Sequence, residues 1–164
     1  LRGSECMMTL CHLLPKPLNW LLVPNFSEFE AKLPGRFNRL ALLQQAFTHR
    51  SYLNENQLTD EHNERLEFLG DAVLELVVTE FLFAKYPEEN EGDLTAYRAA
   101  LVNAETLARV AGKAGMNNYL LLSKGEARDT GRARQTILAN TFESVVGAIF
   151  LDQGYDPAKQ FITE

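Results

Sequence analysis

The chain is 164 residues long, 46% hydrophobic and 23% charged, values of an ordinary globular domain that exclude a disordered, collagen-like or coiled-coil chain. At that length a single core suffices, burying about 70% of the surface that the unfolded chain exposes. A net charge of −6 repels polyanions overall, so any binding to nucleic acid has to come from local Arg clusters, metal ions or another domain.

Cys6 and Cys11 are the only cysteines, too few for a disulfide framework, which fits a reducing compartment. The apolar stretch from Met7 to Val23 is broken by Pro15, Lys16, Pro17 and Asn19 and lacks a small-residue cleavage site. It reads poorly as a signal peptide and is too interrupted for a membrane span. The expected compartment is the cytoplasm, with no membrane partner. Residues 1–25 differ in texture from the rest and are read as an N-terminal extension, and residues 26–164 as the domain.

Ser27 followed by Glu30 makes a capping-box pattern for a short helix that Pro34-Gly35 closes. A second helix runs from Arg39 to Phe47, with Leu40, Leu43, Ala46 and Phe47 on one side. Polar residues from Asn54 to His62 form a loop, and Thr59 or Asp60 is the expected N-cap of a long helix reaching about Tyr86, where Pro87 stops it. Asp93 or a neighbour opens a helix through Tyr97 and Leu101, and Asn103 caps the next, which ends near Gly115. The segment 122–133 reads as a polar loop. A long apolar helix follows from about Gln135 to Leu151, Gly154 ends it, and Asp156-Pro157 starts the last helix. Sustained alternation at period two is missing, so the fold class is all-α with about eight helices.

The long helix beginning near Asn63 carries four acids. At about 100° per residue, Glu64, Glu67, Asp71 and Glu75 fall within an arc of about 80°. Like charges at that spacing repel, so the stripe calls for a cation, an Arg partner or open water. In the late helix, Asn140 and Glu143 stand one turn apart inside an apolar run, Ile137-Leu138-Ala139 before and Val145-Val146-Gly147-Ala148 after. Crossing of the two helices at Gly70 and Gly147, where small residues allow close approach, brings Glu67, Asp71, Asn140 and Glu143 together. Hard oxygen donors of this kind suit Mg²⁺ or Mn²⁺ rather than zinc.

Other readings stand beside this one. The acids can pair with Arg65, Arg98 or Arg134 in a solvated surface network, which would make the chain a metal-free helical interaction module. A di-iron carboxylate bundle needs Glu-x-x-His, and His12, His49 and His62 never stand three residues after a Glu. Nucleophilic catalysis finds no serine in a recognisable elbow. The Gly/Arg segment 123–134 is either a phosphate site or a solvated basic loop.

The run Asn63-Glu64-Arg65-Leu66-Glu67-Phe68-Leu69-Gly70-Asp71 resembles the signature of the ribonuclease III endonuclease domain. The resemblance extends through Phe47-Thr48-His49-Arg50-Ser51-Tyr52, Glu91-Gly92-Asp93-Leu94, Leu101-Val102-Asn103, Lys124-Gly125-Glu126 and Glu143-Ser144-Val145-Val146-Gly147-Ala148-Ile149-Phe150-Leu151-Asp152. It implies the multi-helix fold of that domain. It also implies a homodimeric, Mg²⁺-dependent endonuclease, with Mn²⁺ substituting and no small-molecule cofactor, that cuts double-stranded RNA to 5′-phosphate and 3′-hydroxyl ends in RNA processing. Carried over by position, Glu67, Asp71 and Glu143 match metal-site carboxylates, Glu64 an acid near the scissile strand, Glu91 a further acid of the cleft, and Phe68 an aromatic that inserts into the partner subunit. Arg50, Lys124, Arg132 and Arg134 are the candidates for RNA backbone contacts.

The sequence departs from the family pattern at Asn140, where Asp is usual. An amide keeps one carbonyl oxygen as a ligand and removes a negative charge, so the expectation is retained but metal-hungry activity. The alternative is a weakened or inactive ribonuclease III-like RNA-binding protein. Family members often carry a double-stranded-RNA-binding domain after this one, and none is read in these 164 residues.

Overall fold

A computed structural model describes residues 23–56 and 61–164. Along them run α1 (Phe26–Glu30), α2 (Leu40–Ala46), α3 (Arg50–Leu53), α4 (Glu64–Lys85), α5 (Glu91–Leu101), α6 (Ala104–Lys113), α7 (Lys124–Arg128), α8 (Arg132–Gln153) and α9 (Tyr155–Thr163), with a 3₁₀ turn at Met116–Tyr119. The fold is all-α; among the described residues the one bridge outside named strands pairs Thr48 with Leu121. Residues 1–22, with Cys6, Cys11 and most of the interrupted apolar stretch, lie outside the described residues, as do Thr59 and Asp60. No helix of the described residues is long and apolar enough to cross a membrane.

The layout follows from which helices are apolar all round and which on one stripe. α8 is buried from Ile137 to Ile149 except at Asn140 and Glu143, so it forms the spine that other helices cover. α4 buries one stripe, Leu66, Gly70, Val73, Leu74 and Val77, and crosses α8 along it. α2, α6 and α9 also pack on α8. Phe26, Phe29, Phe47 and Tyr119 cluster at ring-centroid separations from 4.9 to 6.3 Å and close one end of the core. Each fully buried ring contributes about 1.5–3 kcal/mol by leaving water.

Helix ends follow the expected residues where the cap is local. The Asn103 side chain accepts the Thr106 N–H at 2.9 Å, and Tyr86, before Pro87, caps the C-terminus of α4. Other ends differ. Ser27 lies inside α1, whose N-cap is Asn25, and the Glu30 carboxylate accepts the Phe37 N–H at 2.7 Å, holding the following loop instead of a capping box. Asn90, not Asp93, caps α5 by accepting the Asp93 N–H. Asn63, not Thr59 or Asp60, is the N-cap of α4. Asn63 is placed from a distance, since its N–H donates to the Thr48 carbonyl at 2.9 Å and its side chain reaches the Ala46 carbonyl at 3.4 Å. The segment read as a loop contains α7, opened by Ser123 accepting the Glu126 N–H. α8 starts at Arg132 rather than Gln135, and Gly154 rather than Asp156 caps α9.

Candidate active site

At the crossing of α4 and α8 the backbones touch. A β-carbon on Gly70 would overlap the Glu143 carbonyl and come within 2.8 Å of the Gly147 nitrogen. One on Gly147 would overlap the Leu66 carbonyl and stand 3.1 Å from the Gly70 nitrogen. This close approach sets the Glu67 and Asp71 turns of α4 against the Asn140 and Glu143 turn of α8. The buried Ser144 hydroxyl adds a second tie, lying 2.7 Å from the Asn140 carbonyl and 3.3 Å from that of Asn63.

The electrostatics record the same proximity. Burial pushes the Glu143 carboxyl up to about 7, and repulsion from Asp71 and then Glu67 adds to it. Glu67 is raised as well, first by burial, then by Glu64 and Asp71, against a lowering contribution from its hydrogen bond with Asn140. None of the ion pairs among the described residues involves Glu67, Asp71 or Glu143. Arg98 donates to the Thr79 hydroxyl, Arg134 to backbone carbonyls and Asn117, and Arg65 is exposed. The surface-network alternative for these three acids therefore finds no Arg partner.

Among the described residues no three His, Cys, Asp or Glu side chains converge into a preformed cation cage. The two results are compatible, because like carboxylates interact across a cleft at separations well beyond a shared coordination distance. The donor chemistry fits a divalent cation all the same. The cleft offers three carboxylates and an amide, all hard oxygen donors, with Glu67 and Glu143 half-buried, Asp71 exposed, and none of the three acids in an ion pair among the described residues.

The remaining candidates are distributed around this cleft. Glu64 is engaged on its outer side, 3.4 Å from the Arg50 guanidinium and 3.8 Å from the His62 ring. Glu75 shares the stripe and is exposed. Glu91 accepts from the Thr95 hydroxyl and lines a hollow of about 420 Å³ with Thr79, Leu82 and Phe83. Thr79 lies eight residues beyond Asp71, roughly 12 Å along α4, so this single chain does not bring Glu91 to the other acids. Phe68 is 82% exposed at the edge of a cavity of about 650 Å³ lined also by Leu42, Leu66, Leu69 and Leu151. Lys124 and Arg132 are exposed, whereas Arg134 is engaged with backbone. Asn63 and Ser144, which tie the two helices at the cleft, were not foreseen; the one local signal was a serine four residues after Asn140 in an apolar run.

The profile of the family described as Ribonuclease-III-like matches residues 40–164. The chain is 47% identical over 152 residues to Ribonuclease 3 of Bacillus velezensis, an alignment covering 92% of this chain and 61% of that protein. It is 48% identical over 130 residues to Ribonuclease 3 of Streptococcus pyogenes serotype M5, covering 79% of this chain and 56% of that one. The chain thus matches about three-fifths of the length of these relatives. Among solved structures, a nuclease domain of ribonuclease III from Campylobacter jejuni, described for structural flexibility in a region involved in dimer formation, superposes with a TM-score of 0.77. That pair is 40% identical, over 85% of this chain and 94% of the other.

Proposed function

This chain belongs to the ribonuclease-III-like family, and from that premise we propose that residues 26–164 are the nuclease domain of a divalent-metal-dependent endonuclease acting on double-stranded RNA in cytoplasmic RNA processing. The observation that carries the reading is the set Glu67, Asp71 and Glu143, three mutually repelling acids gathered at a helix crossing with no Arg or Lys among the described residues in an ion pair with them. Crowding three carboxylates, with Glu67 and Glu143 half-buried beside the exposed Asp71, is costly, and a protein that only binds RNA has no need of it.

Glu67, Asp71 and Glu143, with the Asn140 carbonyl oxygen, would hold Mg²⁺, and Mn²⁺ in its place. The chemistry such a cation would supply is activation of a water for attack on the phosphodiester and neutralisation of charge on the phosphate, consistent with 5′-phosphate and 3′-hydroxyl products. The chain's own residues do the rest. Glu143 has to release its proton before it can ligate, which ties affinity for the cation to pH around 7. The Asn140 amide steadies Glu67. Glu64, paired with Arg50, borders the cleft as a supporting acid, and Arg50, Lys124 and Arg132 offer charge to the RNA backbone. Duplex preference would come from shape and 2′-hydroxyl contacts. The exposed Phe68 beside its cavity fits a homodimer in which each ring enters the partner's cavity, and Glu91 stays with the reading only as an acid that assembly would have to bring in.

Asn140 favours a second reading, a weakened or inactive RNA-binding relative, since its amide withholds one negative charge from the cation. Incubating the chain with long duplex RNA over a Mg²⁺ series, beside Glu143→Ala, separates them. The nuclease reading expects cleavage by the parent alone. Binding without cleavage at every Mg²⁺ concentration would establish the second reading instead.

A further inference from the structure

The segment 121–134 is anchored at both ends by side chains and backbone that the catalytic reading leaves unused. At its start, the Leu121 carbonyl accepts the His49 N–H at 3.0 Å and the Leu121 N–H donates to the Phe47 carbonyl at 2.9 Å. The Ser123 N–H donates to the Ser51 hydroxyl at 3.1 Å and the Lys124 N–H to the Glu55 carboxylate at 3.2 Å. At its far end the Arg134 guanidinium closes over the C-terminus of α7. Its Nη2 donates to the carbonyls of Glu126 and Ala127 at 2.9 and 3.0 Å, its Nε to that of Asp129 at 3.1 Å, and its Nη1 to the Asn117 side chain at 3.4 Å. The Asp129 carboxylate in turn accepts the Gly131 N–H at 2.7 Å.

A guanidinium has five N–H donors in a rigid fork, and these bonds occupy four of them. Arg134 cannot then present a bidentate fork to a phosphate. The last carbonyls of a helix lack partners within it and are commonly satisfied by basic side chains, which is the task Arg134 performs. The arm so formed displays Lys124, Arg128 and Arg132, all exposed and in no ion pair among the described residues. Arg132 also shares a face of α8 with Glu143, since eleven residues at 100° return to within about 20°, roughly 16 Å along the axis. A charged strand lying over the acids along α8 would meet this arm.

We propose that Arg134 is a positioning residue that builds the 121–134 arm as a docking platform for the phosphate backbone of duplex RNA, with Lys124, Arg128 and Arg132 as the contacts. The inference rests on the duplex-RNA reading above. It predicts that the shape of the Arg134 fork, not its charge, matters for RNA binding, because an ammonium cannot span three carbonyls.

The test compares the parent with Arg134→Lys, Arg134→Ala and Arg132→Ala, using fluorescence anisotropy of a labelled RNA duplex in EDTA over a KCl series, with amide hydrogen exchange on each protein. Arg132→Ala is expected to weaken binding several-fold and to reduce the slope of log affinity against log salt by about 1. Arg134→Lys should lose as much affinity as Arg134→Ala although it keeps the charge, and both should speed exchange at Ala127, Asp129 and Gly131. Arg134→Lys binding like the parent, or Arg134→Ala reducing the slope as Arg132→Ala does, would overturn the inference and make Arg134 a direct contact. A parent chain that binds no duplex in EDTA overturns this inference alone, since the duplex-RNA reading is decided separately by cleavage over the Mg²⁺ series. Should the Arg134 variants fail to fold, Asn117→Ala removes one acceptor with all charges kept. It should give a smaller loss of affinity with faster exchange in the arm, and unchanged affinity there would sink the proposal.

Discussion

Gly70 and Gly147 pack α4 against α8 with no room for a β-carbon on either: one on Gly70 would overlap the Glu143 carbonyl, and one on Gly147 the Leu66 carbonyl. The cleft acids are consequently held by main chain rather than by adjustable side chains. Gly70→Ala or Gly147→Ala should destabilise the chain by about 3 kcal/mol or more, because the obstructing atoms are carbonyls that cannot rotate away. Gly112 in α6 meets nothing within 4 Å, so Gly112→Ala should be neutral or add up to about 1 kcal/mol through helix propensity. Urea denaturation of the three variants measures the contrast.

The raised carboxyl of Glu143 makes stability depend on pH in a defined direction. Its proton is held more tightly in the folded chain, at about 7, than at the ordinary 4.5. Between those values the native state therefore carries more protons than the unfolded one, and stability from this group falls as pH rises through the window. Discounted for solvent access, the effect is about 1–2 kcal/mol. Glu143→Gln should remove that slope and be the more stable protein above pH 7, as thermal melts without divalent ions from pH 4.5 to 8 would record. Parallel pH profiles for the two proteins would refute the assignment.

Replacing Asn140 by Asp adds a fourth charge to the cleft and takes away the amide that supports Glu67. Asn140→Asp is expected to melt lower than the parent without divalent ions, by roughly 1 kcal/mol of repulsion, and to bind Mn²⁺ several-fold more tightly. The upward shift of its melting temperature with Mn²⁺ should accordingly be larger. Cleavage should reach half-maximal rate at lower Mg²⁺, and identical metal dependence of the two proteins would count against Asn140 as a ligand.

Phe68 makes little contribution to the single chain, being 82% exposed. Phe68→Ala should leave its unfolding free energy within about 0.5 kcal/mol at low protein concentration. If the ring enters a partner's cavity, the same change should weaken self-association at least about tenfold, which sedimentation velocity across a concentration series reads directly. A parent that remains monomeric throughout would remove the homodimer from the proposal.

What the sequence by itself determined was local in origin. The acid stripe of α4, the cap at Asn103, the stop before Pro87 and the need for small residues at Gly70 and Gly147 depend on helical periodicity and on chemistry within a few residues. The motif from Asn63 to Asp71 pointed to the family on the same footing. Only the tertiary structure decided the rest. Asn63 caps α4 because Ala46 and Thr48, more than a dozen residues earlier, hold it. Glu91 lines a different hollow from the cleft acids because α5 packs beyond Thr79. Arg134, exposed to solvent in any local reading, instead spends its donors on the carbonyls at the end of α7. A side chain's charge and length can be read along the chain, but the partner that takes its hydrogen bonds, and the burial that shifts a carboxyl such as Glu143, depend on contacts between distant segments, and no local pattern encodes those.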